Sequence, residues 1–157
     1  MKHKKKENKP KKVKKQLTQK AGIAMKNQFF LEASWLLSEI LEKKLKSLLE
    51  ITENTRPGAG FTLEQCIKRL KHLHVTNKNQ VLRNYVELKL IEKTMTWKNQ
   101  RNTMVKDMLY VHVSKPRKEN LALEGVKLLK EWNRALKNYK LHQFSSAPAT
   151  TDEIPPQ

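Results

Sequence analysis

Residues 29–51 read FFLEASWLLSEILEKKLKSLLEI. Phe29, Phe30, Ala33, Leu36, Leu37, Ile40, Leu41, Leu45, Leu48 and Leu49 recur at spacings of three and four. That is the wide apolar stripe of a helix buried along one face. Glu39 precedes Lys43 by four residues, and Glu42 precedes Lys46, the favourable order for ion pairs along a helix. The spacing predicts a long first helix from about Thr18 or Ala24 to about Ile51.

The rest of the chain repeats the helical pattern. Asn54 to Gly60 (NTRPGAG) is a loop, because Pro-Gly and a second Gly break any helix. Thr62-Leu63-Glu64-Gln65 is a capping box that opens a second helix, ending near His74. Leu63, Cys66, Ile67, Leu70 and Leu73 form its inner face. A third helix is expected from Asn79 to about Lys93, and a short connection over Thr94 to Lys98. A fourth is expected from about Trp97 to His112. Tyr110 to Val113 also reads as a short extended piece, being β-branched and aromatic. Pro116 stops either form. The last helix is expected from Lys118 to Leu141. The three tryptophans, at 35, 97 and 132, are spaced as core residues.

The chain has 157 residues, about one domain's worth. The expected architecture is all-α: an antiparallel bundle of four or five helices over residues 19–143. A disordered lysine-rich arm (1–18) and a disordered polar tail (144–157) flank it. Four glycines are too few for a sandwich or barrel. The lone cysteine, Cys66, excludes a disulfide framework and a cysteine-based zinc site. It sits on an apolar face, as a structural thiol does. Charge interrupts every apolar stretch well short of the ~20 residues a spanning helix needs. No apolar core follows the basic start, so no signal peptide is read, and a cytoplasmic protein with no membrane contact is expected.

Charge gives the first functional clue. Lys and Arg number 33 against 15 acids, a formal net charge of +18. Half of it lies in residues 1–20, with ten Lys and Glu7 as the sole acid. An anionic partner is implied, and RNA or another polyanion is the expected one. No phosphate-cradling G-x-x-x-x-G-K-S/T loop, G-x-S-x-G elbow or H-E-x-x-H zinc motif occurs. No metal and no cofactor are expected. His72 and His74, two apart on a helix, face different directions.

The most informative stretch is Trp97 to Asp107, WKNQRNTMVKD. Arg101 and Asn102 sit side by side on a helix, after Leu90-Ile91-Glu92 and the aromatic Trp97. These residues resemble the signature of the HEPN superfamily, R-N-x-x-x-H, carried on a late helix of an all-α bundle. Residues 30–42 also look like the opening helix of that group. The resemblance covers residues 28–141. One departure matters: Lys106 stands where the motif histidine would be. His112 lies eleven residues past Arg101, roughly 16 Å along a helix, and cannot simply replace it.

The resemblance implies a homodimer with a positive cleft, in a prokaryotic toxin, defence or stress context. A cognate antitoxin or nucleotidyltransferase partner is implied by it as well. In active members an RNA 2′-hydroxyl attacks the adjacent phosphate, and an imidazole can shuttle the proton. Arg101 would neutralise phosphorane charge, and Asn102 would orient partners. A lysine ammonium already holds, at neutral pH, the proton a base must accept. The expectation is therefore a degenerate member that binds RNA without classical cleavage. The alternatives are a metal-independent endoribonuclease using Arg101, Asn102 and Lys106, or a protein-interaction bundle with a nucleic-acid-binding arm. Lys98, Lys115, Arg117 and Lys118, with Lys4, Lys5, Lys6, Lys11 and Lys12 of the arm, complete the expected phosphate-binding set.

Overall fold

The protein is described here from a computed structural model, covering residues 9–145, with side chains from Lys15 on, except that of Phe144. It is an all-α bundle, as expected, with no strand among the described residues. Six helices are present: α1 (Lys9–Lys26), α2 (Phe30–Glu53), α3 (Leu63–Val75), α4 (Gln80–Tyr85), α5 (Leu88–Asp107) and α6 (Lys115–Ser145). No helix among the described residues is long and apolar enough to cross a membrane.

The helix boundaries depart from the expected ones at three points. First, the helical region begins at Lys9, inside the stretch expected to be an arm, and α1 is separate from α2. Gln28 makes the break, with φ of 63° in the left-handed region. Second, Val86 and Glu87 are extended and split the expected third helix, while α5 runs unbroken through Thr94 to Lys98. Thr94 stays helical because its hydroxyl donates to the Leu90 carbonyl at 2.8 Å and accepts from the Trp132 indole at 2.8 Å. Third, α5 ends at Asp107. Tyr110 to Val113 is a turn and coil rather than an extended strand. Pro116 lies in the first turn of α6, where its missing N–H costs nothing.

Four helices enclose the core in the cyclic order α2, α3, α5, α6, with α1 packed on α2 and α4 against α6 and α3. Their senses are mixed. Lys93 pairs with Glu131 and Asp107 with Arg117, so α5 runs antiparallel to α6. Lys71 pairs with Glu92 and Glu64 with Lys98, so α5 is also antiparallel to α3. Yet Leu37 lies by Gly125 and Thr52 by Tyr139, so α2 and α6 run in the same sense. The nine-residue loop 54–62 carries the chain back along α2 and makes this possible.

Trp97, Trp132, Tyr139, Leu41, Leu45 and Ile67 are among the fully buried side chains. Trp97 lies flat on α6 at Gly125. A methyl there would meet the indole at 2.6 Å, so only glycine admits the ring. Its indole N–H donates to the Leu121 carbonyl at 2.8 Å. The capping box forms as expected: the Gln65 amide donates to the Thr62 hydroxyl, and the Thr62 amide donates to the Gln65 side chain. Cys66 is buried, and burial pushes its thiol up to about 11, leaving it unreactive.

Candidate functional site: the Arg101–Asn102 face

Arg101 sits half-buried on α5, near its C-terminal end. Its guanidinium lies over the ring of Trp35 from α2, with Cζ 5.1 Å from the ring centroid, a cation–π contact. Its Nε and Nη2 donate to the Asn102 side-chain oxygen at 3.3 and 2.9 Å. The group is half-buried, and burial pulls its pKa down while Glu42 pushes it back up. Glu42 is itself engaged: its carboxylate accepts from Lys46 at 2.7 Å and from the Leu63 amide at 3.0 Å. Among the described residues, no carboxylate forms an ion pair with Arg101. The guanidinium is therefore held by a ring and a neutral oxygen.

Trp35 was expected in the core, and this is corrected: it is 55% exposed. A signal was present in the sequence. Trp35 is four residues from Glu39 and seven from Glu42, on the polar side of the stripe, where a core tryptophan does not belong.

An apolar surface continues from the arginine. Val105 follows one turn along α5, then Met108 and Leu109. All three are exposed, as are Tyr110 and Val111, with Tyr110 at 85%. The turn that carries them is braced from both sides. Arg117 donates to Asp107 at 2.8 Å, and the Lys115 ammonium donates to the Gln28 side chain. The amides of Tyr110 and Val111 both donate to the Asp107 carbonyl.

The other expected residues are dispersed. Lys106 is exposed in the last turn of α5, about 140° around the helix from Arg101. Lys98 is corrected outright: it is 8% exposed and holds the Glu64 carboxylate, so it does not face a ligand. Arg117 is paired with Asp107, and Lys118 is half-buried. Lys11 and Lys12 lie in α1 with side chains outside the described set, and Lys4, Lys5 and Lys6 lie outside the described residues. Trp97 and Tyr139 are buried, whereas Tyr110 is exposed.

Two larger grooves, of about 480 and 670 Å³, run between α5 and α6. Neither contains Arg101, Asn102 or Lys106. The smaller is lined by Glu92, Glu124 and Glu131 as well as Lys89, Lys93 and Lys127, a mixed set unsuited to a polyanion. Among the described residues, no cluster of three or more metal-ligating side chains occurs.

Glu64 makes a structural prediction of its own. Hydrogen bonds from Lys68 and then Lys98 hold its carboxyl down to about 2, against an ordinary 4.5. A depressed folded-state pKa stabilises the fold above the ordinary value and loses that contribution as pH falls from about 4.5 towards about 2. Glu64→Gln should therefore lower Tm at neutral pH, and the gap to the parent should close across that window. A gap that stays constant down to pH of about 2 would show the ion pair to be inert.

Fold and surface together define a class, an all-α bundle with an arginine–asparagine pair on an exposed, partly apolar face. No family model, curated protein or solved structure matches the chain.

Proposed function

We propose that the chain is an RNA-associated, HEPN-like protein that holds an RNA phosphate on Arg101, in the cleft of a symmetric dimer, without cleaving it. One observation carries the reading: Trp35 and Asn102 hold the Arg101 guanidinium, and no carboxylate among the described residues is ion-paired with it. A guanidinium fixed in this way loses little freedom on meeting a phosphate, which it can engage through two N–H groups. The exposed strip of Trp35, Val105, Met108 and Leu109 around it supports the dimer. An apolar surface at a symmetric contact brings each copy's arginine to the other. Lys106, exposed beside the strip, adds positive charge but no base. A prokaryotic toxin, defence or stress setting is part of this reading. The exposed Leu109-Tyr110-Val111 turn supports a second reading, in which the same face docks a different protein, such as a cognate antitoxin or nucleotidyltransferase.

The test is binding by the full chain to a fluorescent 20-nucleotide oligouridylate, beside Arg101→Ala. The arginine variant should bind at least tenfold more weakly with an unchanged Tm, about 1.4 kcal/mol or more. Equal affinities would defeat the reading and turn attention to the docking alternative.

A further inference from the structure

A second basic feature lies on the opposite flank of α2. Lys44 follows Trp35 by nine residues, about 900° of helix, so it points about 180° away from the arginine face. There α2 and α6 form a groove of about 200 Å³, lined by Lys44, Ser47, Leu48, Asn133, Leu136, Lys137 and Lys140. Three lysines from two helices converge on it, and no carboxylate lines it. Lys137 and Lys140 are exposed, and Asn133 and Lys137 are one turn apart on α6. Ser47 and Asn133 add a hydroxyl and an amide, which can donate to phosphate oxygens.

Lys44 also lines a smaller crevice with Leu17, Thr18, Ile40 and Lys43, where α1 packs on α2. The helices are antiparallel there, because Ala24 packs by Phe30 and Ala33 while Leu17 meets Ile40. The turns of α1 that precede Leu17 carry Lys9, Lys11, Lys12, Lys14 and Lys15. They therefore run on from Lys44 in the direction of the groove.

Lys137 and Lys140, three residues apart on α6, repel, and an anion beside them removes that cost. We infer that the α2–α6 groove is a second binding site that seats the phosphate backbone of an RNA strand. The inference takes RNA as the ligand from the reading above, but it stands on different residues and a different face.

The test uses the full chain and the labelled oligouridylate, titrated by anisotropy over a range of KCl. Three variants are compared with the parent: Lys137→Glu with Lys140→Glu, Lys78→Glu with Lys89→Glu, and Arg101→Ala. The first two change net charge equally, and Lys78 and Lys89 lie outside the groove. The groove variant should weaken binding at least tenfold. It should also lower the slope of log affinity against log salt by about 1.4, two contacts at about 0.7 each for a single strand. The outlying pair should weaken binding less than threefold. Equal losses from the two charge-reversed variants would overturn the inference, leaving only bulk charge. A loss from Arg101→Ala with none from the groove variant would also overturn it, while leaving the arginine reading in place.

Discussion

Trp97→Ala should cost the fold about 3–5 kcal/mol, the range for emptying a large aromatic site in a core. Native domains hold only about 5–15 kcal/mol in all, so roughly a fifth or more of the margin would go. The reason is local. The indole packs on the bare backbone of α6 at Gly125, where Leu37 of α2 also reaches, and it donates to the Leu121 carbonyl. Glycine supplies no side chain that could swing into the vacated space. The cavity therefore stays open, and three helices lose their shared contact. Thermal and urea melts would measure the effect, with Tm expected to fall by roughly 10–20 °C. A loss below about 1 kcal/mol would mean that the helices close over the gap.

Lys106→His should convert a binding protein into a metal-independent ribonuclease. A positioned acid–base group contributes about 10²- to 10⁴-fold to such a step. Position 106 is exposed in the last turn of α5, so an imidazole fits without repacking; because it points about 140° away from Arg101 on its own helix, it would act with the arginine of the second copy across the dimer cleft. It would take the proton from an RNA 2′-hydroxyl as that oxygen attacks the adjacent phosphorus. The bond from phosphorus to the 5′-oxygen breaks and the imidazolium gives its proton to that oxygen, leaving a 2′,3′-cyclic phosphate and a 5′-hydroxyl. Arg101 would stabilise the extra phosphorane charge. Total RNA incubated with chelator should yield fragments from the variant and none from the parent, with the rate rising through pH of about 6.5. Adding Arg101→Ala to the variant should abolish the fragments. Cleavage by the unmodified chain would replace the binding reading with the ribonuclease alternative, and silence from the variant would count against a dimer cleft at this face.

Local signals were legible in the sequence, and long-range ones were not. The Thr62–Gln65 capping box and the Asn79 cap could be read because each is completed within four residues. The Gln28 break was hidden because a left-handed residue there is not glycine. Thr94 to Lys98 looked like a connection because β-branched and aromatic residues disfavour a helix, yet Trp132, 38 residues away, secures Thr94. Lys98 read as a phosphate ligand because its partner Glu64 is 34 residues distant. The Arg101–Asn102 pair was visible as a string, whereas the tryptophan beneath it belongs to another helix. Spacing also does not reveal helix sense, which is why the shared direction of α2 and α6 went unread.

That shared direction has a consequence for how the molecule is made. The central pair joins segments 87 residues apart, as the Thr52–Tyr139 contact shows. On the ribosome, the apolar stripe of α2 emerges long before the helix that covers it. Until synthesis reaches the last helix, Leu37 and Leu48 lack their cover, so the nascent chain passes through an adhesive interval. Closure of the core thus waits on synthesis of α6, and a chain truncated before residue 115 has no route to the finished bundle.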